Sequence, residues 1–386
     1  MIGLQESLVL LSVISGDLPP PARVEALLRR PETAQTSTGS GAAPVSGYME
    51  MHLNKPTDGT PAVLDFHRFV LLFTHRFSDR VRFGSELEIE HGVVAGLEEG
   101  GELEVEQAYL DFLVAPALNF RAGMLLTPVG IINERHEPPV FHGVERPFVD
   151  TVIIPTTWFD VGAGIHGDLG RGVRYRAYAM APLDATGFSA EEGLRDSTQH
   201  GNEAQVRNIA LTGRVEYVGT RGLQLGASFW RGETGFNLPR IKTSVGLFEV
   251  DARMTRGRLE ARAQHAHVFI GGAGAINDAM TRLTGVDPNI ARQLRGSYAE
   301  AAYRILPSSF AHDAALFVRY ENFDTQYRMP AGSVPLPEFD RDAWVVGGTY
   351  WVDPDVALKV DYSHVRNRST VVPPPRSFNV GIGWWF

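Results

Sequence analysis

Charged side chains recur at every second position along many segments of this chain, a spacing that places them on one face of a β-strand. From Asn208 to Val218, Thr212, Arg214 and Glu216 share a face, and Ile209, Leu211, Val215 and Tyr217 share the other. Glu260, Arg262 and Gln264 form a second such row, Phe317, Arg319 and Glu321 a third, and Asn119 and Arg121 turn the same way from Leu118, Phe120, Ala122, Met124 and Leu126. Collecting these positions gives Arg68, Arg76, Arg82, Arg121, Arg174, Arg176, Arg214, Arg253, Arg262, Arg304, Arg319 and Lys359. Facing them stand Glu50, Glu86, Glu88, Glu90, Asp111, Glu216, Glu249, Asp251, Glu260, Glu300, Glu321 and Asp361. The two sets nearly cancel, and they repeat over strands with few apolar partners elsewhere, so a hydrated interior explains them better than the outside of a soluble sheet. Guanidinium is always charged and weakly hydrated, so an arginine ladder could pass anions along while carboxylates hold the side chains in place. The same residues would serve equally as salt bridges that stiffen a wall.

The densest chemistry outside those rows lies between Pro128 and Trp158, where Glu134, Arg135, His136, Glu137, His142, Glu145 and Arg146 cluster in a proline-broken stretch. That segment is too polar for lipid and longer than a hairpin needs. His136, Glu137, His142 and Glu145 are metal-ligand types, but Pro138 and Pro139 forbid the helix that a HExxH site requires, so no metal is expected there. Asp65 with His67, and His265 with His267, read as wall or rim residues. A barrel hydrolase would place a Ser or Asp beside a His at one rim; no such pairing stands out, and GxSxG is absent. Gly271 to Gly274 lacks the Lys-Ser/Thr of a phosphate cradle and reads as a flexible external loop. The absence of Cys removes thiol catalysis, Cys-ligated metals and a disulfide framework. Neither a catalysed reaction nor a cofactor is expected.

Sixteen strands position these residues. They run Val45 to Asn54, Val63 to Phe77, Val81 to Val93, Glu102 to Val114, Leu118 to Thr127, Phe159 to Leu169, Val173 to Ala181, Asn208 to Val218, Leu223 to Arg231, Ser244 to Thr255, Arg258 to Phe269, Arg295 to Leu306, Phe310 to Asn322, Ala343 to Val352, Val356 to Arg366 and Arg376 to Phe386. Links after even-numbered strands are short and those after odd-numbered strands mostly long, as in an antiparallel up-and-down barrel with both ends on one side. No run of 18 apolar residues exists, and the mean hydropathy is -0.11. A spanning barrel needs neither, since only every second residue must be apolar. Net charge is -9, with 33 Arg against Lys55, Lys242 and Lys359, so nucleic acid is not an expected partner. Residues 1–44, with a short apolar run at Leu8 to Ile14, Pro19 to Pro21 and a Ser/Thr/Gly/Ala stretch at Thr33 to Ala43, read as a lead-in carrying a possible signal remnant, and 45–386 as the barrel.

The last strand, SFNVGIGWWF, sets Phe378, Val380, Ile382, Trp384 and Phe386 opposite Asn379, Gly381 and Gly383. A terminal aromatic on such a strand resembles bacterial outer-membrane barrels, in which it closes the cylinder. The stretch FRAGMLLTPVG from Phe120 to Gly130, with its charged continuation, resembles the phosphate-selective porin O/P family and its porin relatives. The resemblance implies a transmembrane, all-β, sixteen-stranded and trimeric channel for ions and hydrophilic solutes in the outer membrane of a Gram-negative-type bacterium, with the third long loop folded into the lumen. Its pore lining would comprise Arg121, Glu134, Arg135, His136, Glu137, Glu145, Arg146, Arg174, Arg176, Arg214, Arg262 and Arg319, with a weak preference for anions. Having only three lysines, the chain departs from the phosphate-selective members, which carry pore lysines. The other reading is an outer-membrane barrel that anchors or scaffolds envelope partners through its long loops.

Overall fold

The computed structural model describes residues 45–92, 101–238 and 241–386. The expected lead-in, 1–44, lies outside the described residues. Sixteen antiparallel strands follow one another around a closed barrel: β1 (Val45–Pro56), β2 (Val63–Arg76), β3 (Val81–Glu90), β4 (Leu103–Ala115), β5 (Leu118–Leu126), β6 (Phe159–Gly170), β7 (Val173–Met180), β8 (Ala210–Thr220), β9 (Leu223–Glu233), β10 (Ser244–Arg256), β11 (Leu259–Gly271), β12 (Gln293–Arg304), β13 (Asp313–Arg328), β14 (Asp340–Asp353), β15 (Val356–Asn367) and β16 (Arg376–Trp385). Each expected strand is present. The largest difference is at β13, which starts three residues later and runs six further, because Phe323 and Asp324 go on pairing with Arg341 and Asp340 of β14. Seven links lie at one end, all of two to four residues except 305–312, and eight, L1 to L8, at the other.

Alternation makes the barrel an inside-out protein. Leu118 and Phe120 on β5 and Leu211 and Val215 on β8 point outward and are exposed, whereas Asn119, Arg121, Thr212, Arg214 and Glu216 between them are buried. The cylinder is sealed where β1 meets β16, with Tyr48 opposite Trp385. Gly47 and Phe386 exchange backbone hydrogen bonds of 3.0 and 2.9 Å, and the Phe386 ring stacks on Phe69 at 6.0 Å. A Cβ on Gly47 would sit 2.2 Å from the Val70 carbonyl oxygen and 2.7 Å from the Phe386 ring, so this seam admits only glycine.

The long-loop half of the interior is packed with apolar side chains. Val129, Ile132, Phe141, Val149, Ile153 and Ile154 of L3 (127–158) form one core with Leu183, Phe188 and Leu194 of L4 (181–209), Leu238 of L5 (234–243) and Ile276 and Ile290 of L6 (272–292). The expectation of a flexible loop at Gly271 to Gly274 is corrected here: Gly271 ends β11, and helix α1 (Ala273–Thr284) begins after Gly272, whose φ is +79°. Ala273, Ile276 and Ala279 recur at helical spacing and bury one face against the core. The Gly285 N–H closes the helix on Thr281 O at 2.9 Å with Gly285 left-handed.

Candidate functional site: the lumen and its third loop

L3 enters the barrel through a neck built by one amide. The Asn133 Nδ2 donates to the carbonyls of Thr127 (2.7 Å) and Trp158 (2.8 Å), and its Oδ1 accepts from the Trp158 N–H (2.7 Å). Both strands of the neck are therefore tied to a single fully buried side chain. Gly130, with φ +80°, makes the turn inward, and its N–H reaches Ser228 Oγ on β9 (3.3 Å). Beyond it the loop hangs on the far wall. The Ile131 N–H donates to Gln264 on β11 (2.8 Å), Val149 N–H to Glu321 on β13 (3.1 Å) and Val144 N–H to Asp361 on β15 (2.6 Å). Polar side chains of the wall thus satisfy a loop backbone that has no strand partner. Glu134 and His136 of L3 reach side chains of the wall, and Val149, Ile153 and Ile154 pack with the other loops.

The arginines named from the sequence fall into separate groups. Arg214 is ion-paired with Glu216 (2.9 Å), Glu249 (3.2 Å) and Asp251 (2.6 Å), and next to it Arg176 bridges Glu216 (3.3 Å) and Glu134 of L3. Further round the barrel Arg319 holds Glu300 (3.3 Å) and Glu321 (2.8 Å), and Arg262 holds Glu300 (2.9 Å). Arg121 pairs with Asp111 (3.1 Å) under the Tyr109 ring, and Arg146 donates to Thr157 (3.1 Å) within L3. Arg174 reaches Asp168 at 3.6 Å. Glu145 is half-exposed and accepts from Asn54 (2.9 Å); Glu137 is buried.

A cavity of about 900 Å³ opens at the short-link end, with Ile131, Ile132, Val140 and Phe141 of L3 as its floor. Its rim and wall carry Arg135, Arg174, Arg221, Arg253, Arg256, Arg258, Arg262 and Arg304 against Glu260, Glu300 and Asp313. Eight guanidiniums facing three carboxylates make this vestibule strongly positive, although the whole chain is acidic. Arg135, Arg174 and Arg262 meet here, and Arg121 and Arg146 lie elsewhere.

His136, Glu137, His142 and Glu145 do not converge on one another. His142 goes to Glu260 (3.2 Å) and Glu145 to His52 (3.5 Å), whereas His136 points into a buried group on the wall. Its Nε2 lies 2.8 Å from Tyr48 Oη, 3.2 Å from Glu106 Oε2 and 3.7 Å from Glu86 Oε1. Glu106 is absent from the inward positions read by strict alternation, because counting back from Asp111 turns it outward. A bulge in β4 reverses this: Glu86 pairs with Gln107 but Leu87 with Val105, so Glu106 is the extra residue and both it and Gln107 face inward. Period-2 counting carries no signal for such an insertion.

No family model matches the chain. An uncharacterized protein of Aquifex aeolicus strain VF5 is 36% identical over 357 residues, covering 89% of this chain and 79% of that one. Among solved structures, the barrel is similar to the anion-selective porin of Comamonas acidovorans (TM-score 0.57, 12% identity, 89% of this chain and 98% of that one). It is similar also to the outer-membrane channel DcaP of Acinetobacter baumannii (0.56, 13%, 89% and 96%) and to the trimer form of OmpT, an outer-membrane protein of Vibrio cholerae (0.53, 12%, 89% and 98%). At these identities the likeness shows a shared fold: the closed sixteen-stranded barrel of bacterial porins.

Proposed function

Since the chain belongs to one family with the Aquifex aeolicus protein and has the porin barrel fold, we propose that it is an outer-membrane porin, a water-filled route for passive diffusion of small ions and hydrophilic solutes. The observation that carries this reading is the barrel's polarity, apolar outside and charged within, with L3 folded across the lumen. Similarity to porins that are described as outer-membrane, anion-selective or trimeric supports a Gram-negative-type outer membrane as its place, an anion preference and a homotrimer. The FRAGMLLTPVG stretch supports kinship with the phosphate-selective porin O/P group in architecture, and an arginine vestibule in place of pore lysines supports general anion attraction rather than phosphate selectivity.

Planar-bilayer recording in asymmetric salt tests this. Wild type should give stepwise conductance with a reversal potential on the anion side. Replacing Arg135 and Arg174 with Glu should move it toward cations, with a shift that shrinks as salt rises, because fields are screened within about 8 to 10 Å at physiological ionic strength. The scaffold reading has one observation in its favour, the apolar packing of L3 to L6 in the long-loop half of the lumen. Correctly folded protein that passes no current would support it and sink the channel.

A further inference from the structure

We propose that Glu86, Glu106, His136 and Tyr48 bind a divalent metal ion of the zinc class, which fastens the third loop to the barrel wall. The four groups come from β3, β4, L3 and β1, and the donor atoms of Glu86, Glu106 and His136 lie within 4.8 Å of one another. A zinc bond of about 2.1 Å in tetrahedral geometry separates neighbouring donors by about 3.4 Å. The observed 3.2 and 3.7 Å from His136 Nε2 to the two carboxylates bracket that value, and Tyr48 Oη, 3.0 Å from Glu86 Oε1, stands at the fourth corner.

The surroundings are those of a ligand set. His136 Nδ1 lies 3.0 Å from the Asn133 carbonyl oxygen, which can only accept, so one ring proton sits on Nδ1 and Nε2 is the atom turned to Tyr48 and the two carboxylates, where a metal ion would replace the second proton. Gln107 donates to Glu86 Oε2 and leaves Oε1 for the cluster. Glu106 Oε2 is buried and accepts no hydrogen bond of good geometry; its close neighbour is His136. A β-bulge exists at the one place that aims this carboxylate inward. Glu50, Glu86, Glu88 and Glu106 are all buried beside Arg68 and Arg146, so with His136 neutral the group carries excess negative charge that a divalent ion balances. One imidazole with carboxylate and phenol oxygens suits zinc and similar first-row ions above calcium or magnesium.

A second convergence, His52, Asp65 and His67, lacks this logic. Arg68 donates to His67 Nε2 (2.7 Å), which holds the His67 proton on Nδ1, the atom that faces Asp65 at 3.1 Å, and leaves no lone pair there.

The test uses the full chain refolded in detergent from chelator, equilibrated with Zn²⁺, freed of excess ion and analysed by elemental mass spectrometry and X-ray absorption. One zinc per chain, with oxygen donors and a single imidazole, is expected. Glu106→Gln and His136→Gln should each weaken binding about tenfold or more, Ca²⁺ and Mg²⁺ should not compete, and His52→Gln should bind as wild type does. Absence of retained zinc, a spectrum with two or three imidazoles, or full binding by folded Glu106→Gln would each overturn the proposal. Should a variant not fold, the wild-type imidazole number decides alone.

Discussion

At the scale of single residues, the lumen is governed by side chains that hold backbone. Asn133→Ala would strip hydrogen bonds from two carbonyls and one N–H at the L3 neck, each unmet group costing roughly 1 to 3 kcal/mol. We expect a loss of about 3 kcal/mol or more in urea unfolding and faster protease cleavage in L3; an unchanged unfolding midpoint would show that water replaces the amide. His91, just beyond β3, has its pKa raised by its hydrogen bond to Asp65 (3.0 Å). A raised folded value means that this contact stabilises fully below the unfolded value of about 6.5 and fades as pH climbs through the folded one. The His91 Cε1–H resonance should therefore titrate above 6.5 and return to it in Asp65→Asn, and a titration that ignores Asp65 would refute the contact. Arg121, Arg214 and Arg319 could be placed inward from the sequence, but their partners could not, since ion pairing depends on which strands are neighbours and on how far each side chain reaches.

At the scale of elements, alternation made the strands legible, with polar and greasy residues changing face at each step from Leu118 to Ala122 and again through Arg214, Val215 and Glu216. Helix α1 was missed because its glycine-rich entry resembles a loop, and only Ile276 and Ala279 at helical spacing hint at it. The inward course of L3 was foreseeable from its charges, yet its apolar residues give it a second purpose as core for L4 to L6. Removing Ile132 to Val144 takes away three of the four floor residues of the vestibule and two of the core residues, so unitary conductance should rise several-fold in protein that still shifts on heating in a detergent gel. An unchanged conductance would place the limiting constriction in L4 or L6 instead.

At the scale of the molecule, closure between β1 and β16 is the contact on which the cylinder depends. Gly47→Val drives a side chain into the Val70 carbonyl and the Phe386 ring, so the folded, fast-migrating gel species should be largely lost while β10–β11, across the barrel, is untouched at the site of change. Retention of the heat-shifted species would mean that the seam can slide. Chemical cross-linking of native protein should yield trimers, and a ladder ending at monomer would remove that part of the reading. The seam also has a kinetic meaning. Its paired residues lie more than three hundred positions apart in the chain, so the loop to be closed is the longest the fold contains, and little of its entropic cost is recovered until it closes. Hairpins such as β10–β11 can zip locally, but a partly zipped sheet keeps two unpaired edges until both ends meet. Assembly should accordingly be slow and nearly all-or-none, with its rate set by a search between distant strands rather than by any one turn.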